Sequence, residues 1–167
     1  KLSIFSTYIV GLMKKKQELN RVDSLFAEML EQYPQEEPVH RLFGMYLSSR
    51  KDFSRAEEQY AIAADLAPTN PENWLQLIGL YLYQEKYAEV IRVGKRAIQY
   101  VPDQKDIYMY VAVASAQTKS YDEALSMLET GLNYVEENDA GTKSFFYGQM
   151  GDVYHSAGDK EKSYEMY

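Results

Sequence analysis

Two histidines, a run of three lysines and several neighbouring carboxylates are the residues of this chain whose types could do chemistry. There is no cysteine, which excludes a thiolate nucleophile, a thiolate metal site and a disulfide, so nucleophile-and-base chemistry would have to use His40 or His155. Asp152 precedes His155 by three residues, a spacing that puts both on one helix face, where they could orient a base or hold a metal for hydrolysis. Two groups fall short of the three or four ligands zinc takes, and no metal is expected there. Glu57 with Glu58, and Glu136 with Glu137, are sequence neighbours that point in different directions on a helix and read as solvated faces. Lys14, Lys15 and Lys16 could hold an anion, yet they equally suit the solvated C-terminal end of a helix, whose carbonyls carry partial negative charge. No glycine-rich loop has the spacing of a phosphate cradle or a dinucleotide fingerprint. These residues point away from an enzyme; no catalytic residue and no cofactor is expected.

The elements that would position any site follow a fixed period. Pro34, Pro68 and Pro102 lie 34 residues apart, and His40, Trp74 and Tyr108 keep the same interval. Three further registers run in phase: Phe43, Leu77 and Val111; Leu47, Tyr81 and Ser115; Ala56, Val90 and Ala124. Within each period, apolar residues recur at intervals of three and four on two segments, the mark of two amphipathic helices. His40 therefore falls at a large-residue packing place and is read as structural.

In chain order the units are 3–36, 37–70, 71–104, 105–138 and a shortened 144–167. The opening unit carries Ile9, Val10 and Met13 on one helix and Val22, Phe26 and Met29 on the next, with Lys14 to Asn20 as the turn. In the second unit Gly44 is expected to let two helices cross closely, with an aromatic of the partner helix filling the space. Asp52 and Asn70 are placed as N-caps. In the third unit Ile78 replaces the glycine and Gly94 replaces Tyr60, a compensated swap that keeps volume roughly constant. Glu136 stands where the closing proline is due, so the preceding helix is expected to run on. The last unit matches the fourth at an offset of 39, and the five extra residues are assigned to a loop over 136–143. Gly158 is placed as the stop of one helix and Asp159 as the cap of the last.

With 167 residues, 46% of them hydrophobic and 26% charged, the chain has the composition of a folded soluble protein, and no apolar run approaches the roughly 20 residues a membrane helix needs. A formal net charge of −7 argues against a nucleic-acid groove, which needs a basic stripe, and disfavours acidic partners. Starting at Lys1 and stopping in mid-pattern, the chain is expected to be a piece of a longer protein.

A 34-residue period with a large residue, a small one, a second aromatic and a closing proline resembles the tetratricopeptide repeat. The resemblance implies an all-α fold, a right-handed α-solenoid of stacked antiparallel helix pairs, as a single array. It also implies a concave groove, lined by the first helix of each repeat, that binds an extended or helical protein segment. The family's groove places fall here on Tyr8, Arg41, Met45, Gln76, Tyr83, Met109, Tyr110, Val113, Gln117, Gln149 and Asp152, with Ser49, Gly79 and His155 beside them. The places where one subclass grips carboxylates with lysine and asparagine hold Thr7 and Gly11, Arg41 and Met45, Leu75 and Gly79, Met109 and Val113, so that clamp is absent. The expected partner is a protein or peptide, held by burial against Tyr83, Met109, Tyr110 and Val113, with Gln76, Gln117 and Gln149 satisfying backbone groups. Two alternatives are self-association through the ends, Ile4 to Ile9 and Tyr164 to Tyr167, and a regulatory role beside a catalytic domain elsewhere. Sixteen tyrosines without cysteine are similar to the make-up of bacterial cell-envelope repeat proteins, which leaves cytoplasm and envelope both open.

Overall fold

The computed structural model describes residues 19–166. Among these, nine helices follow one another with no strand: α1 (Leu19–Gln32), α2 (Glu37–Ser49), α3 (Phe53–Leu66), α4 (Pro71–Tyr83), α5 (Tyr87–Ile98), α6 (Lys105–Gln117), α7 (Tyr121–Leu132), α8 (Ala140–Ala157) and α9 (Lys160–Met166). The chain divides into two compact units, Lys1–Asn73 and Trp74–Tyr167. The first helix of the opening repeat, with Ile9, Val10 and Met13, lies outside the described residues. Its second helix, α1, starts at Leu19, so the last two residues of the expected turn are already helical.

In the first unit α2 folds back on α3 at Gly44. A Cβ built on Gly44 would stand 2.7 Å from two ring atoms of Tyr60, so the ring occupies the space a side chain would need. On the other side of α2, Phe26 of α1 stacks on Phe43 with ring centroids 4.7 Å apart, and Tyr46 completes the cluster. Burying each such ring stabilises the fold by about 1.5–3 kcal/mol. Arg50 lies over the Tyr46 ring and pairs with Asp23 at 2.8 Å. His40 is buried, with Nδ1 2.9 Å from the Gln59 amide oxygen and Nε2 3.1 Å from the Pro34 carbonyl. Asn73 donates to the carbonyls of Ala63 and Ala67 and so closes the end of α3. Asn70 accepts the Glu72 amide at 3.2 Å as an N-cap should, but Asp52 does not cap: its carboxylate pairs with Arg55 instead.

In the second unit Trp74 stacks on Tyr100 and Tyr108 on Tyr134, each ring 26 residues ahead of its partner. Tyr108 also donates to the Pro102 carbonyl at 2.8 Å, the counterpart of the contact between His40 and Pro34. The glycine swap is compensated differently from the expectation. A Cβ on Gly94 would collide with Val111 and approach Ile107, so the space is filled from α6 of the next repeat. At Gly131 the Phe146 ring and the Tyr108 Cβ, both 2.8 Å from the would-be Cβ, do the same job.

One backbone device recurs in the four hairpins of the described residues. The amides of Asp52, Lys86, Ser120 and Asp159 reach back to the carbonyls of Leu47, Tyr81, Ser115 and Tyr154 at 2.8–3.0 Å, and the residue before each takes a left-handed conformation. Those residues are Lys51, Glu85, Lys119 and Gly158, with φ between 57° and 89°.

Two expectations about the last repeats are corrected. The helix before Glu136 does not run on; α7 ends at Leu132, the register place at which α5 ends, without needing a proline. Nor do the five extra residues form a loop: α8 has 18 residues where α2, α4 and α6 have 13, so the insertion is an added helical turn. Asp139 makes this possible by accepting the Thr142 amide at 3.0 Å, which starts the helix early.

Candidate partner-binding groove

On α6, residues Asp106, Met109, Tyr110, Val113 and Gln117 follow the three-and-four spacing of one helix face; on α8, Thr142, Phe145, Gln149, Asp152 and Ser156 do likewise. The two stripes border a pair of adjoining hollows. The larger, about 570 Å³, has apolar walls from Leu82, Met109, Val113 and Phe145, with Lys105, Asp106, Tyr110, Thr142 and Gln149 supplying polar groups. The smaller, about 170 Å³, is lined by Gln117, Asp152 and Ser156 among apolar residues, and shares Val113 and Gln149 with the first. Met109 and Val113 are held in place by the core beneath them, where Ala112, Leu128, Phe146 and Met150 pack together.

Six of the expected groove residues thus line these hollows: Met109, Tyr110, Val113, Gln117, Gln149 and Asp152. Gln76 and Tyr83 lie on α4, where Gly79 is exposed and Leu82, rather than Tyr83, contributes to the larger hollow. Arg41 and Met45 belong to α2 of the first unit, where the Arg41 guanidinium is engaged with Glu37 at 2.8 Å and Met45 is exposed. Tyr8 lies outside the described residues. Leu82, Thr142 and Phe145 are lining residues that are not among the groove places carried over from the family.

Electrostatics at the mouth are set by few groups. Hydrogen bonds from the Thr142 side chain and amide hold the Asp139 carboxyl below the usual carboxylate range, and the charges of Lys105 and Lys143 add to the effect. Lys143 also donates to the Glu137 carbonyl at 2.9 Å. His155 is exposed on α8, and among the described residues no group of three or more metal-ligating side chains is placed to hold an ion. Among them, too, no helix is long and apolar enough to cross a membrane.

Comparison with protein families gives no match, and neither does comparison with curated proteins. Solved structures do match. A MamA protein superposes with a TM-score of 0.76 over 99% of this chain and 87% of that one, at 14% identity. YrrB, a TPR protein with an unusual peptide-binding site, gives a TM-score of 0.70 over 93% of this chain and 78% of its own, at 17% identity. PilF of Pseudomonas aeruginosa gives 0.70 over 99% and 72%, at 15% identity. This chain has the tetratricopeptide-repeat fold. Likeness at this level of identity is a likeness of architecture. Within the tetratricopeptide fold, first helices of successive repeats such as α6 and α8 stand side by side, the arrangement that opens the hollows between them.

Proposed function

We propose that this chain is a non-enzymatic interaction scaffold that binds a segment of a protein partner along the groove between α6 and α8. The observation that carries the reading is the adjoining pair of hollows, whose apolar floor of Met109 and Val113 runs between amides and hydroxyls able to satisfy a bound backbone. A peptide-binding site in YrrB, a protein of the same architecture, is consistent with it. The larger hollow lies within the roughly 300–1,000 Å³ typical of sites that seat side chains or small ligands. Binding would bury apolar surface at the centre and leave Gln117, Gln149 and Asp152 at the rim. The test uses peptides selected from a random display library on the whole chain, titrated against the native protein and Tyr110→Ala. Weakened binding by the variant with an unchanged melting curve is the expected result; unchanged affinity would move the site off this groove.

A second reading, self-association through the end of the second unit, has one observation in its favour. Trp74 and Tyr108 are buried beneath rings 26 residues further on, whereas Tyr147 at the same register place is 41% exposed. With Ser144, Gly148, Glu165 and Met166 it borders a hollow of about 410 Å³, and Tyr164 nearby in sequence is exposed as well. Light scattering across a concentration series separates the two, since end-stacking chains grow and a groove binder stays monomeric. The other end expected to stack, Ile4 to Ile9, lies outside the described residues.

A further inference from the structure

The wall that α8 contributes to the larger hollow is held apart from the core, which bears on how the groove is regulated and rests on the groove being the docking site. By the offset of 39, Ser144 corresponds to Lys105, the first residue of α6, so residues 140–143 form the added turn. None of their side chains is buried, and the first residue of α8 to enter the core is Phe146. Gly141 and Thr142 nevertheless line the hollow, with Phe145 following them, 56% exposed.

What holds the turn in place is local. Asp139 accepts the Thr142 amide on Oδ1 at 3.0 Å and the Lys143 amide on its backbone carbonyl at 3.1 Å. The Lys143 ammonium donates to the Glu137 carbonyl at 2.9 Å. From α6, Lys105 adds its attraction for the Asp139 carboxylate, a weak force between groups in contact with water. Against these ties stands Gly141, a poor helix former. A Cβ built there would meet Asp139 Oδ1 at 3.8 Å, an ordinary contact, so packing does not demand a glycine at this place. A segment with no buried side chain, local hydrogen bonds and a glycine within it belongs to the low-stability end of a structure, where opening costs far less than global unfolding.

We propose that the added turn is a gate: it frays and re-forms apart from the core, the Asp139 cap sets that equilibrium, and the ordered form alone presents the walled hollow to an occupant. Asp139 does not itself line the hollow. It is a positioning residue that acts through Gly141, Thr142 and Phe145. An occupant packed on that wall in turn holds the gate closed, because the coupling between binding and ordering is reciprocal.

The experiment follows amide hydrogen exchange by NMR beside urea titrations of the whole chain. In the native protein the amides of Thr142 through Phe145 should exchange faster than those of Phe146 through Val153. Asp139→Ala should speed the first group about fivefold, the effect of a lost N-cap, and Gly141→Ala should slow it by a similar factor. Neither variant should move the urea midpoint. Ser144→Pro locks the gate open, since a proline there starts a helix at the place where α6 starts and drives the residue before it out of the α region. Peptides selected from a display library on the whole chain, and weakened by Tyr110→Ala, should bind Ser144→Pro about tenfold less tightly. On the native protein the same peptides should slow exchange of Thr142 through Phe145. Uniform exchange from Thr142 to Val153, or a urea midpoint lowered by Asp139→Ala, shows the turn to be part of the core and overturns the inference. Peptides that bind Ser144→Pro unweakened, or that leave the turn's exchange unchanged, overturn the gate and leave the groove as the docking site. Peptides indifferent to Tyr110→Ala overturn the groove reading and the gate with it.

Discussion

Replacing Lys51, Glu85 and Lys119 by glycine should stabilise the protein, because each sits in the left-handed region at the apex of a hairpin, with φ of 63°, 57° and 62°. An ordinary L-residue there is strained by about 1–2 kcal/mol, through the approach of its Cβ to the following carbonyl. Glycine removes that strain but has more freedom to lose from the unfolded chain, about 0.4–1 kcal/mol. The net gain is about 0.5–1 kcal/mol per site, since all three side chains are exposed. The sites lie in separate turns and share no partner, so the triple variant should gain about 2 kcal/mol. For a chain of this length that raises the melting temperature by about 4–8 °C. Gly158, the same place in the fourth hairpin with φ of 89°, supplies the mirror experiment: Gly158→Ala should cost about 1 kcal/mol. Urea titration followed by far-ultraviolet circular dichroism measures all five proteins, with slopes compared first, because repeat arrays unfold in pieces. Three glycine variants that are each neutral or destabilised, beside a neutral Gly158→Ala, would refute the idea that one strained turn is used four times.

Two further predictions concern packing. Gly44→Ala places a methyl 2.7 Å from the buried Tyr60 ring and should cost about 1–3 kcal/mol by chemical denaturation; pairing it with Tyr60→Leu should return part of the loss. Burial, with the hydrogen bond to Tyr134 adding to it, pushes the Tyr108 phenol from 10.0 up to about 12. Its folded value lies above its unfolded one, so its contribution is intact below pH 10 and is lost as the pH rises through about 12. Tyr108→Phe should therefore flatten the alkaline limb of stability against pH, while costing about 1 kcal/mol at neutral pH through the lost bond to Pro102.

The period was legible because each of its places has a mechanical task that few residue types perform. The closing proline and the large residue six positions later recur together because one supplies a carbonyl and the other a donor or ring to meet it, as Pro34 meets His40 and Pro102 meets Tyr108. Gly44 was legible for a similar reason, since only a missing side chain leaves room for Tyr60. The left-handed turns were not, because Lys51, Glu85 and Lys119 are residues that hide the conformation where glycine would announce it. A signal did exist: Gly158 stands 39 residues after Lys119, the offset of the last repeat, and counting back from it in steps of 34 reaches the other two. Asp52 misled for the opposite reason, since a side chain suited to capping had a nearer cation in Arg55.

The groove was legible only as far as a fixed register can reach. Carrying family places onto α6 and α8 lands on Met109, Tyr110, Val113 and Gln149, which do border the larger hollow, but transfer cannot place residues that the repeat does not possess. The polar stretch before α8 contains glycine and reads as a loop, and what converts its second half into helix is a single interaction, the Asp139 carboxylate receiving the Thr142 amide. Once the helix starts there, Gly141, Thr142 and Phe145 follow the same stripe as Gln149 and Asp152, and the insertion becomes a wall in place of a surface excursion. By the offset of 39, Phe145 corresponds to Asp106, so the two residues across this hollow are equivalents, one apolar and one charged. A symmetric pair of repeats would present the same side chain from both walls. This pair presents different ones, an apolar ring from α8 and a carboxylate from α6, because the two repeats share a register without sharing its residues.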